Sequence, residues 1–331
     1  MRSFSLRMRF AVAASIAAIG FVVANPAKAQ DKVHYQLGWI PTGEYVPYFT
    51  GLQKGFYKEE GIDLTITRGF GSGDTVTKVA GGGAMFGEAD ISTVMLAIVR
   101  QKVPVKCLMS EYNQAPHSIF VLEGSGINSI KDLAGKRIAT SPGNSHQLYF
   151  PLLAKLNDLD ASKVTWVNAD PASWAGMLLS GAIDATPVFA THEYWQNKQA
   201  KKMGKLIKVM PFADSGFKIY SYCILATEAT IAANPDLIKR FLRATKKSFL
   251  WARENLEEAA SLHAKSNPEL DADDALGSWR IFSSKYSTLP SGFGQFEPQK
   301  LKDTYAAVAT AQGLDPNIDP TTFLDMRYLP N

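Results

Sequence analysis

The sequence predicts an α/β protein of two lobes, each a mainly parallel sheet flanked by helices. Short apolar runs of period two alternate with helix-like segments along most of the chain, the rhythm of a parallel α/β sheet. Glycines stand where helices should stop, at Gly61, Gly135 and Gly181, as left-handed helix ends require. The 331 residues suffice for two cores of ordinary size.

The first residues read as a leader and not as fold. Arg2, Arg7 and Arg9 form a basic start, Phe10 to Ala24 is almost wholly apolar, and Ala27-Lys28-Ala29 is a small-x-small cleavage signal, the layout of a secretory signal peptide. A membrane anchor is the alternative, but the apolar run falls short of the roughly 20 residues that span a bilayer. Cleavage after Ala29 makes residues 1–29 a signal peptide, and no cysteine nearby offers a lipid anchor. The whole chain carries 35 Lys+Arg against 31 Asp+Glu, and the leader holds four of the bases and no acid. The mature chain is therefore neutral, and charge points to neither nucleic acid nor membrane.

From there the elements follow in order. Val33–Leu37 is a strand running into Gly38-Trp39-Ile40-Pro41, and 45–60 reads as one helix stopped by Gly61. Ile62/Leu64/Ile66 mark one face of a second strand. A glycine turn at 69–74 precedes a helix over 75–81, the stretch 86–91 a helix over 93–100, and 102–110 is a strand. The middle repeats the pattern: strands at 118–122, 137–140, 164–167 and 185–189 alternate with helices at 131–134, 146–156 and 171–180. Beyond a strand at 220–226 the pattern is mostly helical. Residues 30–117 with 219–331 are expected as one discontinuous lobe, and 118–218 as a second lobe inserted between them. Cys107 and Cys223, the only cysteines, lie in apolar strand-like stretches. They read as two separate buried thiols, with a bridge as the alternative that export would permit. Without histidine spacing they make no zinc site, and no metal or cofactor is expected.

Four motifs converge: Gly55-Phe56-Tyr57-Lys58-Glu59-Glu60-Gly61-Ile62-Asp63-Leu64, Phe86-Gly87-Glu88-Ala89-Asp90, Asp132-Leu133-Ala134-Gly135-Lys136-Arg137-Ile138, and Gly181-Ala182-Ile183-Asp184-Ala185. In this order and spacing the mature chain resembles the nitrate/sulfonate/taurine/thiamine-pyrimidine group of periplasmic binding proteins. The resemblance implies the type II periplasmic binding protein fold, a small-molecule ligand, and docking on an ABC permease with its ATPase. The motif residues themselves are helix ends, turns and strand starts, so they read as scaffold.

Binding positions are expected in loops at the carboxyl ends of strands, where open α/β sheets take ligands. After the first strand come Trp39, Glu44 and Tyr45, an aromatic platform with a carboxylate; core packing is the competing reading of Trp39. Gly73 and Asp74, then Ser92 and Thr93, stand at helix starts whose N–H groups suit a polar ligand atom, or are plain turns and caps. In the inserted lobe Ser141, Gly143, Asn144, Ser145 and His146 form a strand–glycine–helix corner suited to an oxyanion. Asn168 follows the next strand, and Phe189 and Glu193 the one after, with Glu193 read as acceptor for a ligand amino group. His192 reads as an ordinary surface histidine.

Non-catalytic capture of a solute between closing lobes is the expected function. No GxxxxGK[ST], GxSxG or HExxH occurs, which excludes the importer's own ATPase and the corresponding hydrolases. Thiamine-pyrimidine synthases resemble this family and carry a cysteine-rich iron motif that has no counterpart here, so the chain is expected not to be an enzyme. None of the candidate loops contains Arg or Lys, although arginine forks usually mark sulfonate and carboxylate sites. This favours a thiamine-precursor pyrimidine or similar heteroaromatic over sulfonate, taurine, nitrate or an aromatic carboxylate. A monomer is expected. N-terminal sequencing of exported protein should return Gln30; Met1, or a start inside the strand at Val33, would refute the leader.

Overall fold

The computed structural model describes residues 29–287 and 292–330. The leader expected over residues 1–29 lies outside the described residues except for Ala29; Ala29 and Gln30 are exposed. Among the described residues no helix is long and apolar enough to cross a membrane.

Among the described residues ten strands form two sets: β1 Asp31–Gln36, β2 Ile62–Thr67, β3 Phe86–Asp90, β4 Val105–Ser110, β5 His117–Leu122, β6 Arg137–Thr140, β7 Thr165–Asn168, β8 Thr186–Phe189, β9 Ile207–Pro211 and β10 Tyr222–Thr227. The first sheet has the order β2-β1-β3-β10-β4. In it β1, β2 and β3 run parallel, and β10 is antiparallel to both neighbours. In the second set β5 is antiparallel to β8 and β9, β6 pairs with β7 in parallel, and an Ile138–Ala185 bridge joins β6 to the start of β8. Each set thus holds one reversed strand, the first strand after the chain crosses from the other sheet. The crossings lie between β4 and β5 and between β9 and β10. They run side by side, with Ala115 N–H donating to the Ile219 carbonyl at 3.0 Å.

Burial explains the strand patterns. In β2, Ile62 and Leu64 face the core while Asp63 and Thr65 are exposed, as one covered face requires. All five residues of β3 are buried, because helices cover a central strand on both faces. Gly87 sits there without a side chain because the helix Ser72–Ala80 lies on it: a Cβ would stand 2.6 Å from the Thr75 methyl.

Several expected boundaries shift for local reasons. The helix expected over 45–60 is two, Val46–Lys54 and Phe56–Glu59, broken where Gly55 turns left-handed at φ 77°. The strand expected from Lys102 starts at Val105, after Lys102 itself adopts φ 57°. The helix expected from Thr75 begins at Ser72, so the glycine turn there ends at Gly71.

Cys107 and Cys223 form a disulfide with Cα atoms 5.7 Å apart, which corrects the reading of two separate thiols. They stand on adjacent strands, β4 and β10, a neighbourhood created by the second crossing and hidden by 116 residues of separation. Closing so long a loop restricts the unfolded chain. Replacing both cysteines by alanine should lower unfolding stability by about 2–4 kcal/mol; an unchanged denaturation midpoint would show that the bond contributes nothing.

Candidate functional site

Loops from both sheets meet over a narrow cavity of about 20 Å³. Its walls include Trp39, Ser72 and Tyr222 from the first sheet's side and Asn144, Ser145, His146, Phe189 and His192 from the second. Trp39 reaches it because β1 runs on into Leu37-Gly38 and the Tyr222 ring packs over Gly38, where a Cβ would meet that ring at 2.6 Å. The indole meets Trp174, edge to face, with centroids 5.1 Å apart. Phe189 and Tyr222 stand 5.1 Å apart, also edge to face. Three aromatic rings from two sheets thus line a space that no Lys or Arg enters among the described residues.

The polar groups around it are nearly all acceptors or already engaged. Asn144 caps the helix Ser145–Leu156 by accepting from His146 N–H at 2.9 Å. The backbone of Val188 binds one ring nitrogen of His146, and Nε2 has no partner. Burial and the nearby His117 hold this imidazole well below its ordinary pKa, so it is neutral and Nε2 is a free acceptor. Glu44 Oε1 lies 3.1 Å from His192 Nε2, across the junction, while Oε2 is buried and unpartnered.

A buried layer of titratable side chains supports the cavity. Asp90 accepts from Ser92 N–H at 3.0 Å and from the Ser221 hydroxyl at 2.9 Å. It lies 3.3 Å from His117 Nε2, which is also 3.1 Å from the Ser145 hydroxyl. Burial pushes Asp90 up to about 6, against the pull of its serine donors, and pushes His117 down to about 3. At neutral pH the pair is therefore carboxylate and neutral imidazole. Glu88 accepts from Gly38 N–H at 3.2 Å; burial drives its carboxyl up to about 8, with Glu44 adding to the rise.

The structure brings Trp39, Asn144, Ser145, His146 and Phe189 to the cavity wall and keeps Glu44 one layer behind, through His192. Other candidates go elsewhere. Tyr45 is buried in the core beneath. Gly73 and Gly143 press on each other, with Gly73 N–H donating to the Gly143 carbonyl at 3.1 Å, and the Ser141 hydroxyl donates to Phe70 O at 2.8 Å. Asp74 pairs with Lys78 at 2.9 Å and, with Thr93, lines a separate groove. Ser92 is held by Asp90. Asn168 is exposed at the end of β7. Glu193, the first residue of the helix Glu193–Lys202, is off the wall, because the turn Ala190–His192 presents His192 instead.

His192, Tyr222, Glu88, Asp90 and His117 were not legible as site residues. Two lie in a motif that reads as scaffold, and His117 and Tyr222 gain their neighbours only where the crossings meet. The one available signal was a lone histidine beside Pro116 at the expected lobe boundary.

The chain belongs to the NMT1/THI5-like family, whose model matches residues 42–259. It is 27% identical over 257 residues to the riboflavin-binding protein RibY of Chloroflexus aurantiacus, covering 76% of this chain and 70% of that one. It is 29% identical over 250 residues to a 4-amino-5-hydroxymethyl-2-methylpyrimidine phosphate synthase of Legionella pneumophila, covering 73% and 75%. In fold it is similar to the alkanesulfonate-binding protein SsuA of Xanthomonas axonopodis pv. citri bound to MOPS, with TM-score 0.70, 14% identity, and 90% and 98% coverage. The architecture is the periplasmic binding protein fold. The synthases overturn the expectation that this chain is not an enzyme: relatives over about three quarters of its length carry an enzymatic name. The absence of a cysteine cluster was too narrow a ground, since it tests one way of holding iron and not the reaction class.

Glu88 provides a pH test. Its folded pKa is raised from 4.5 to about 8, so the stability it contributes is present below the unfolded value and is lost as pH rises through about 8. Relative to Glu88→Gln, the wild type should lose melting temperature steadily between those limits. Parallel curves for the two proteins would show that Glu88 does not titrate there.

Proposed function

We propose that this protein is a solute-binding component of an importer, exported to the periplasm, that closes over a small planar heteroaromatic ligand bearing N–H donors. Residues 30–117 with 219–331 act as one lobe and 118–218 as the other, and the closed form docks on a membrane permease whose ATPase supplies the energy. The observation that carries this reading is the cavity wall: rings of Trp39, Phe189 and Tyr222 around the unpartnered acceptor Nε2 of buried, neutral His146.

The chemistry selects the ligand class. An unpaired buried acceptor is costly, so the preferred guest is the one that donates to it. Aromatic walls favour a flat ring. A sulfonate or nitrate brings only acceptors and a charge, and this wall offers no cation to neutralise it; the helix N–H groups of His146 and Gln147 are already taken by Asn144. An aminopyrimidine satisfies both requirements. The names of two relatives, a riboflavin-binding protein and a pyrimidine phosphate synthase, involve nitrogen heterocycles as well. The cavity is narrow, so a ring would have to spread its walls, which the two-lobe layout allows.

Mass spectrometry of small molecules released from natively purified protein identifies the class directly; a sulfonate would overturn the reading. With the free pyrimidine, titration calorimetry should show that Trp39→Ala weakens binding by about 1–3 kcal/mol, by analogy with base–aromatic stacking. His146→Phe should cost about 0.5–1.5 kcal/mol for the lost hydrogen bond. Glu193→Gln should bind as the wild type does. Wild-type affinity in Trp39→Ala and His146→Phe, with circular dichroism confirming the fold, would remove this cavity as the site.

A further inference from the structure

Two loops of opposite halves meet backbone to backbone at Gly73 and Gly143, beside the Ser141 hydroxyl's bond to Phe70 O. Gly73 lies in the first turn of the helix Ser72–Ala80, and the three nearest atoms beyond its own helix that a Cβ there would meet all belong to Gly143, its Cα nearest at 2.7 Å. In the other direction a Cβ on Gly143 would stand 2.5 Å from Gly73 Cα and 2.9 Å from its nitrogen. Between them runs the Gly73 N–H to Gly143 O hydrogen bond of 3.1 Å. Other contacts across the junction run through side chains. Glu44 meets His192, and Lys198 reaches Asp271, Asp273 and Asp274 at 3.4, 2.9 and 2.8 Å. Those are side chains that adjust by changing rotamer, whereas a Cα cannot move without its chain.

We propose that the Gly73–Gly143 contact is a closure clasp: a backbone stop that sets how far the two lobes come together and hence how firmly the cavity holds its guest. This rests on the two-lobe reading above. Gly143 has a reason of its own to be glycine, a φ of +74°. Gly73 has none: its φ is not left-handed and its own half leaves room for a methyl group. Alanine is also the better helix former. The demand for glycine at 73 therefore comes only from across the cleft, and a methyl group there opposes closure while leaving each half intact.

The test compares wild type, Gly73→Ala and Gly176→Ala, the last a helical position with open space around it. Spin labels on Lys58→Cys and Lys131→Cys, both exposed and on opposite halves, report the inter-lobe distance in protein as purified and after addition of 4-amino-5-hydroxymethyl-2-methylpyrimidine. Wild type and Gly176→Ala should populate a short distance. In Gly73→Ala the closed-to-open ratio should fall about tenfold or more, as an overpacked contact implies, with no loss of melting temperature. A Gly73→Ala distribution matching the wild type overturns the clasp and leaves the two-lobe reading standing. A single long distance in the wild type, with and without the pyrimidine, overturns the two-lobe reading and the clasp with it. A Gly73→Ala variant that opens but also melts well below wild type would assign the glycine to the fold and overturn the clasp.

Discussion

One buried carboxylate joins the parts of this molecule that must keep register. Asp90 ends β3, the central strand of the first sheet, and its two oxygens serve Ser92 at the start of the next helix, Ser221 on the returning crossing and His117 where the outgoing crossing enters β5. An isolated buried charge is too costly to keep, so the groups around it are fixed by the need to satisfy it. His117 carries the constraint into the second half through Ser145. Both crossings and one helix start from each half are thereby held around a single point, and the cavity opens directly above it.

The reversed strands have the same origin. A chain that leaves one parallel sheet at a strand's carboxyl end enters its neighbour from the side facing the cleft, so its first strand there runs against the others. That accounts for β5 and β10 together. It also places β10 beside β4, where Cys107 and Cys223 join, and sets Tyr222 opposite Phe189 at the cavity. Topology, disulfide and aromatic wall thus follow from one geometric fact, that the chain crosses twice.

The loops expected to grip a ligand through glycine and free N–H groups show how tertiary contact reassigns a local signal. Gly73 and Gly143 have the composition of ligand-approaching loops, and close approach does occur there, but of one backbone to another. Glycine in a loop reports that something comes near; it does not report what. His192 shows the converse. A lone histidine in a polar stretch has no visible partner along the chain, yet it is buried against Glu44, 148 positions away.

The chain by itself determined the α/β class, most strand positions and the loops that carry Trp39, Asn144–His146 and Phe189 to the cavity. These are legible because periodicity, glycine stops and caps are local, acting over one or two turns of chain. Tertiary structure alone decided the disulfide, the Asp90–His117 contact, the contact of His192 with Glu44, and the meeting of Gly73 with Gly143. Each is a contact between residues at least 27 positions apart, created by the order in which strands enter their sheets, and no local propensity encodes that order.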